Sequence, residues 1–223
     1  MIYEARSYRL TPRGVPEFIN IFGKAYQKRQ SLSRISAFFY TEIGPLNEVI
    51  HIWPYKDAAE REKKRARSRD KKYNWPPKVA HLLEDQRSEI FVPSPMTPTF
   101  AKGNKGPIFE WREYMLIPGM IGEMYKNWEK AIAKRTEMSE LVMAMHTDAG
   151  ELNKFVHIWA YESLEHRAEV RAEAARRLGH GADDETLAKM LFDAFLRVGG
   201  SSEEEGRAPH QVRMNVCERC GAT

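Results

Sequence analysis

The chain repeats itself at a separation of 106 residues, and this duplication limits the possible folds more than any other feature. Residues 2–8 fall on residues 108–114, and the sequence HIWPY at residues 51–55 falls on HIWAY at residues 157–161. No gap is needed across about 65 positions, and roughly a third of them are identical. We therefore predict two copies of one module on a single chain.

Each copy shows the order strand, helix, strand, strand, helix, strand, which is that of a ferredoxin-like β-α-β-β-α-β unit. Residues 2–9 alternate as in a strand, and apolar residues recur at helical spacing between residues 15 and 26. The further elements predicted for the first copy are strands at 35–42 and 48–55, a polar helix at 58–69, a helix near 79–83 and a short strand at 89–92. The second copy is expected to end with a helix at 185–196, a polar loop at 199–207 and a strand at 212–216.

The predicted fold class is α+β, with two tandem ferredoxin-like units that pair into a dimeric α/β-barrel-like pseudo-dimer. An antiparallel sheet with helices on one face needs a cover on its other face, and a second sheet can provide it. The first unit is assigned to residues 1–96 and the second to residues 108–216. Residues 97–107 form a linker rich in Pro, Gly and Lys, and residues 217–223 form a Cys-x-x-Cys tail.

Alternation along the third strand separates two faces of the sheet. His51, Trp53 and Tyr55 share one face, whereas Ile50 and Ile52 share the other, and the second copy repeats this pattern. We expect the aliphatic face to lie under the helices and the His-Trp-Tyr face to look toward the partner sheet.

The space between the two sheets is therefore predicted to be lined by aromatic and charged side chains. Concave, largely aromatic sites with a few polar groups are typical of small-molecule binding, but the same side chains could instead form a satisfied polar interface between the halves. The candidate ligand-binding residues are Glu4, Arg6, Tyr8, Trp53, Tyr55, Glu110, Arg112, Tyr114, Trp159 and Tyr161.

Histidines are the candidates for proton transfer, because the imidazole titrates near neutral pH. The candidate catalytic residues are His51, His157, His146 and Tyr40. His146 stands where the first copy has Tyr40, so the two half-sites are not equivalent. No nucleophile with an adjacent base and no Gly-rich phosphate loop can be recognised from spacing, and no cofactor is predicted.

The charge pattern bears on the partners of the chain. The formal net charge is only +4, and the densest basic stretch, residues 61–72, is interleaved with acidic residues, so a nucleic-acid partner is not expected. No apolar run approaches the roughly 20 residues that span a bilayer, and no leader pattern is visible at the start. The expectation is a cytoplasmic protein without a membrane partner, either a monomeric pseudo-dimer or a homo-oligomer.

The two cysteines, Cys217 and Cys220, lie in the last seven residues, so they cannot form a disulfide framework for the fold. One Cys-x-x-Cys supplies two ligands, whereas a closed zinc site needs four. The pair is therefore only a weak metal candidate, and a reduced or redox-sensitive tail is the favoured interpretation.

Three segments of the first copy resemble the NIPSNAP family: residues 2–8, residues 39–47 and residues 49–55. The family pattern is Tyr-Glu-Leu-Arg-x-Tyr, then Tyr-Thr-Glu-Ile-Gly-x-Leu-Asn, then His-x-Trp-x-Tyr. The second copy departs from it at Trp111, Glu113, His146 and residues 148–151. The resemblance implies a dimeric α/β-barrel fold, which also occurs in monooxygenases and haem-handling enzymes, and signalling, trafficking or mitochondrial roles for animal members. Fold alone does not fix function.

Two functions follow from these patterns. In the first, the chain binds or transforms a small organic molecule between its sheets, by proton transfer or cofactor-independent oxygen chemistry if it is catalytic. In the second, it is a non-enzymatic interaction or signalling module with a closed interior. Whether the chain is an enzyme stays open at this point, and the presence of an open cavity lined by the candidate residues discriminates between the two.

Overall fold

The structure is a computed structural model that describes residues 1–98, 106–177 and 210–216, the last segment as backbone. The tail with Cys217 and Cys220, the predicted helix at 185–196 and the predicted loop at 199–207 lie outside the described residues. Contacts divide the chain into two compact units. Of the described residues, the first unit comprises 1–93, 147–152 and 213–216, and the second comprises 94–98, 106–146, 153–177 and 210–212.

The first unit contains a four-stranded antiparallel sheet in the order β4-β1-β3-β2, the strand order of a ferredoxin-like fold. Its elements are β1 (Ile2–Leu10), α1 (Val15–Arg29), β2 (Ala37–Ile43), β3 (Glu48–Tyr55), α2 (Ala58–Ser68), a 3-10 turn (Ala80–Leu82) and β4 (Leu83–Pro93). The first three predicted strands and the two longer helices are confirmed.

Two sequence predictions for the first unit are wrong in extent. The helix expected near residues 79–83 is a single 3-10 turn, and the last strand has eleven residues instead of a few. β4 pairs with β1 along nearly its whole length, from Phe91 opposite Tyr3 to Leu83 opposite Leu10. Residues 84–88 are polar and exposed, so this part of the strand carries no apolar alternation that the sequence could reveal.

The second unit repeats the arrangement with an antiparallel β5-β7-β6 sheet. The elements that follow β4 along the chain are β5 (Ile108–Met115), α3 (Ile121–Thr136), β6 (Glu140–Ala149), β7 (Lys154–Tyr161), α4 (Leu164–Arg177) and β8 (His210–Val216), of which residues 147–149 of β6 and 213–216 of β8 belong to the first unit. The strand predicted at 212–216 is confirmed within β8, whose Val216 is paired with Tyr40 of β2. The α+β class and the two tandem ferredoxin-like units are thus confirmed. No helix within the described segments is long and apolar enough to cross a membrane.

The helices of the first unit lie on the face of the sheet opposite to the one predicted. The ring of Phe22 in α1 lies 5.1 Å from the ring of His51, and the ring of Tyr26 lies 6.1 Å from that of Trp53. The prediction that the aliphatic face lies under the helices is therefore wrong for this unit. Because α1 itself presents aromatic rings to the sheet, it packs against the aromatic face of β3, where ring pairs add to the energy of burial.

Candidate ligand site

A cavity of about 340 Å³ lies inside the first unit, bounded by the sheet, α1, the end of α2 and the segment 75–80. Its position corrects the sequence prediction, which placed the cavity between two sheets. Six of the predicted site residues line this cavity: Glu4, Arg6, Tyr8, His51, Trp53 and Tyr55. The alternation along the strands therefore grouped these residues correctly, although the sequence prediction placed them on the wrong side of the sheet.

Strand pairing brings the predicted residues of β1 and β3 together. Glu4 lies opposite Trp53 and Arg6 lies opposite His51 in the antiparallel register. Directly opposed residues in such a pair have Cβ atoms about 5 Å apart on the same face. The motifs Glu-x-Arg-x-Tyr and His-x-Trp-x-Tyr thus form two adjacent rows on one surface.

A buried carboxylate organises one wall of the cavity. Glu4 is only 1% exposed, and its Oε1 accepts hydrogen bonds at 2.8 Å from Arg61 Nη2, Arg65 Nη1 and Ser88 Oγ, and at 3.3 Å from Arg6 Nη1. Burial by itself raises the pKa of Glu4, but the hydrogen bonds from Arg61 and Ser88 and the charges of Arg6 and Arg61 outweigh it, so the pKa lies below its ordinary value. Glu4 is therefore an ionised structural anchor.

His51 is held in one tautomer by its neighbour on the strand. The Trp53 indole nitrogen donates to His51 Nδ1 at 2.6 Å. Nδ1 is consequently an acceptor, and the proton of the neutral ring resides on Nε2. His51 Nε2 is buried and has no hydrogen-bond partner among the described residues.

His51 stays uncharged at neutral pH. Burial, and to a smaller extent the positive charge of Arg6, lowers the pKa of His51 to about 3, although the negative charge of Glu4 acts in the opposite direction. Protonation at Nδ1 would also break the hydrogen bond from Trp53. This environment favours a hydrogen-bond donor over the acid–base role expected from the sequence.

The second unit groups its own candidate residues on the equivalent face. Trp159 Nε1 donates to His157 Nδ1 at 2.7 Å, as in the first unit. Burial, with the charges of Arg112 and Arg135, lowers the pKa of His157 well below its ordinary value. The ring of Trp128 in α3 lies 4.9 Å from that of His157.

The acidic anchor is also present in the second unit. Glu110 is fully buried, and it accepts hydrogen bonds from Arg167 and, at 3.2 Å, from the hydroxyl of Tyr161. Arg112 lies over the ring of Tyr114 at 5.7 Å, so all six predicted residues of this half belong to one neighbourhood.

His146 and Tyr40 have other surroundings. In the second unit the hydroxyl of Tyr125 from α3 lies 2.5 Å from His146 Nδ1. Burial raises the pKa of Tyr125 above its ordinary value, because burial penalises the charged form of either side chain, the phenolate here and the imidazolium in a buried histidine. In the first unit Tyr40 packs against the aromatic core, outside the set of described residues that line the cavity.

Sequence reasoning missed two important residues of the cavity, Arg29 and Trp75. Arg29 falls on Arg135 in the repeat, so the duplication marked it without showing its role. Trp75 lies beyond the matched stretch of the repeat, so the duplication gave no signal for it. In the described part of the chain, no group of three or more His, Cys, Asp or Glu side chains is placed to hold a metal ion.

These features define an α+β protein of two tandem ferredoxin-like units, and its fold is that of the dimeric α/β-barrel proteins. A candidate monooxygenase from Fusobacterium nucleatum matches 96% of this chain and 92% of its own chain, with a TM-score of 0.60 and 8% identity. At this identity the likeness shows the fold alone.

The NIPSNAP family model matches residues 3–98 and 109–189, so the chain belongs to the NIPSNAP family. The human protein NipSnap homolog 3A is 31% identical over 178 residues, which cover 75% of this chain and 70% of the relative. The NipSnap homolog of Dictyostelium discoideum is 27% identical over 174 residues, which cover 76% and 74%.

Proposed function

We propose that the chain binds a small organic molecule in the cavity of its first unit. The observation that carries this proposal is that the six predicted residues of β1 and β3 line one cavity of about 340 Å³. Cavities that hold small ligands have volumes of about 300–1,000 Å³ and combine apolar walls with a few polar groups. This cavity is within that range and has both kinds of wall.

The apolar walls suit an aromatic or other flat apolar group. Phe22, Trp53 and Trp75 line the cavity, with Trp75 in edge contact with both Phe22 at 5.3 Å and Trp53 at 5.5 Å. Aromatic rings offer large contact areas with few rotatable bonds. His51 Nε2 can add one directed hydrogen bond to a ligand acceptor.

Binding is supported better than chemical transformation. With its pKa near 3 and its Nδ1 occupied by Trp53, His51 supplies no base at neutral pH. Glu4 is enclosed by arginines and is not available as a proton acceptor. We therefore assign the cavity a binding function.

The test is a fragment screen followed by nuclear magnetic resonance, with the indole N–H signals of Trp53 and Trp75 as local reporters. Gln86 is exposed and lines the cavity, so Gln86→Trp places a bulky ring at this wall. Asp85→Trp is the matched control, because Asp85 is exposed and adjacent but does not belong to the lining. We expect the fragments that shift both indole signals to bind Gln86→Trp at least about tenfold more weakly than the wild type, and to bind Asp85→Trp as tightly as the wild type.

Two results would contradict the proposal. One is a screen in which no fragment perturbs the Trp53 and Trp75 signals at millimolar concentration. The other is a set of hits whose affinity is the same in the wild type, Gln86→Trp and Asp85→Trp, which would move the binding site elsewhere.

A further inference from the structure

We infer that the molecule bound in this cavity is an organic carboxylate, recognised by the buried guanidinium of Arg29. This inference rests on the proposed binding function and names the chemical class of its ligand. Four independent observations support it: the charge of the lining, the burial of Arg29, the contrast with the second unit, and the orientation of the His51 ring.

The lining of the cavity carries an excess of positive charge. Arg6, Arg29, Arg65 and Arg69 line it together with a single carboxylate, that of Glu4. Glu4 is already shared by Arg6, Arg65 and the neighbouring Arg61. Concave sites lined by one sign of charge concentrate ligands of the opposite sign. The excess of three positive charges therefore selects against cationic ligands and favours anions.

Arg29 is the most deeply buried of these cations. It is only 2% exposed and lies over the rings of Trp53 at 4.9 Å and Trp75 at 5.7 Å. Its Nε and Nη1 are buried without a hydrogen-bond partner among the described residues. Burial lowers the pKa of Arg29, although nearby tyrosines, with Tyr55 first, oppose this effect. A buried guanidinium with unused donors is complementary to an oxyanion.

The second unit shows what Arg29 lacks. Its counterpart Arg135 donates from Nη1 to Ser139 Oγ at 2.7 Å. Both arginines have a tyrosine partner, Tyr161 for Arg135 at 3.1 Å and Tyr55 for Arg29, so the difference lies in the serine. Ser33 is the counterpart of Ser139, yet its Oγ is buried and, like Arg29 Nη1, has no partner within the described segments. The same pair of residues at the same spacing thus forms a hydrogen bond in one copy and leaves it unformed in the other. The unformed bond occurs in the copy whose arginine lines the cavity.

His51 adds a third unused donor to the same cavity. Since Trp53 donates to Nδ1, the hydrogen on Nε2 is available to a ligand. The unpaired atoms on Arg29 and His51 are all donors, so the site is complementary to a group that only accepts hydrogen bonds. A carboxylate has this property, and as a monoanion it loses less hydration energy in an aromatic cavity than a phosphate dianion does.

The experiment compares two probes of nearly the same shape, 2-naphthoate and the neutral 2-naphthamide. Affinities are measured by calorimetry, and occupancy of the cavity is followed through the indole signals of Trp53 and Trp75. For the wild type we expect 2-naphthoate to bind at least about tenfold more tightly than 2-naphthamide.

Substitution of Arg29 should remove this preference. In Arg29→Met we expect the affinity for 2-naphthoate to fall by about 10- to 100-fold, the usual effect of losing hydrogen bonds to a charged group, while 2-naphthamide changes by less than about threefold. Arg9→Met is the matched control, because it removes the same charge from an exposed arginine outside the cavity lining and should leave both affinities unchanged. Arg29→Lys keeps the charge with fewer donors and should retain part of the preference, which covers the case in which Arg29→Met does not fold.

The outcomes separate the two proposals. If neither probe shifts the Trp53 and Trp75 signals, the proposed binding function itself is contradicted for this class of molecule. If both probes bind to the wild type with equal affinity, only the carboxylate inference is overturned. An undiminished preference in Arg29→Met, or in Arg29→Lys where Arg29→Met does not fold, also overturns it, as does tighter binding of 2-naphthyl phosphate than of 2-naphthoate.

Discussion

A single carboxylate holds together charged side chains from distant parts of the first unit. Glu4 in β1 binds Arg61 and Arg65 of α2 and Ser88 of β4. An exposed ion pair contributes about 0–1 kcal/mol to the free energy of unfolding. Here, by contrast, the Glu4 carboxylate is buried, whereas its arginine partners are partly exposed. Its removal leaves several guanidinium groups facing one another without compensation.

We therefore predict that Glu4→Gln lowers the free energy of unfolding by about 1–3 kcal/mol. The value is below the 3–5 kcal/mol typical of breaking a fully buried pair, because the arginine partners are partly exposed and can turn to water. Denaturation in urea with Glu84→Gln as the control measures the effect. Glu84 pairs with Arg9 at the exposed surface, and we expect less than about 1 kcal/mol there. Equal losses in the two variants would contradict the prediction.

At the scale of elements, the sequence predicted most of the fold because its patterns are local. Residues 48–55 alternate and form β3 with the predicted bounds, and helical spacing predicted α1. The polar part of β4 was missed, since a strand with exposed residues on both faces lacks apolar alternation.

The site was predicted only in part, for a different reason. Strand parity groups Glu4, Arg6 and His51 on one face whatever covers that face. It cannot show which face the helices occupy, because this depends on packing between α1 and the sheet. Trp75, on the segment after α2, reaches the cavity through tertiary packing, and no periodic pattern records such a contact.

Both polar helices are started by side-chain caps, and the two copies use different residues. Asp57 Oδ1 accepts from the backbone N–H of Glu60 at 2.8 Å, and Glu60 accepts from the backbone N–H of Lys56 at 2.6 Å. In the second copy Ser163 Oγ accepts from the backbone N–H of His166 at 3.1 Å. The Asp57 cap stabilises the first turn of α2, the helix that carries the arginines that bind Glu4.

We predict that Asp57→Ala lowers the free energy of unfolding by about 1 kcal/mol, whereas Asp57→Ser, which copies the second repeat, costs less than half as much. Chemical denaturation of both variants measures the difference. The result would argue against the capping role if Asp57→Ser and Asp57→Ala were equally destabilising.

At the scale of the whole molecule, the described part of each unit contains one fully buried neutral histidine. The pKa of His51 is lowered to about 3 and that of His157 also lies well below its ordinary value, in both cases first because of burial. The unfolded chain binds a proton at each histidine below about pH 6.5, whereas the folded chain does not. Acidification therefore favours the unfolded state.

We predict that stability falls as the pH decreases below about 6.5, with about 1.4 kcal/mol per pH unit from His51 down to about pH 3 and a contribution of the same sign from His157. His51→Gln, whose amide can accept from Trp53 and still donate, should reduce the slope by one such contribution. His81→Gln is the control, because the side chain of His81 is 58% exposed. Thermal unfolding between pH 7 and pH 4 measures the slopes, and an unchanged slope in His51→Gln would exclude this explanation.

Because the two repeats are joined in one chain, mutation can change one of them without changing the other. In an oligomer of identical single repeats, every substitution is present in all copies. A mutation therefore cannot break the hydrogen bond between the arginine and its serine in one copy and leave it intact in another. Here Arg29 and Arg135 are encoded separately and are always synthesised in equal numbers. Mutation can thus alter the surroundings of Arg29 while the inherited arrangement around Arg135 is preserved.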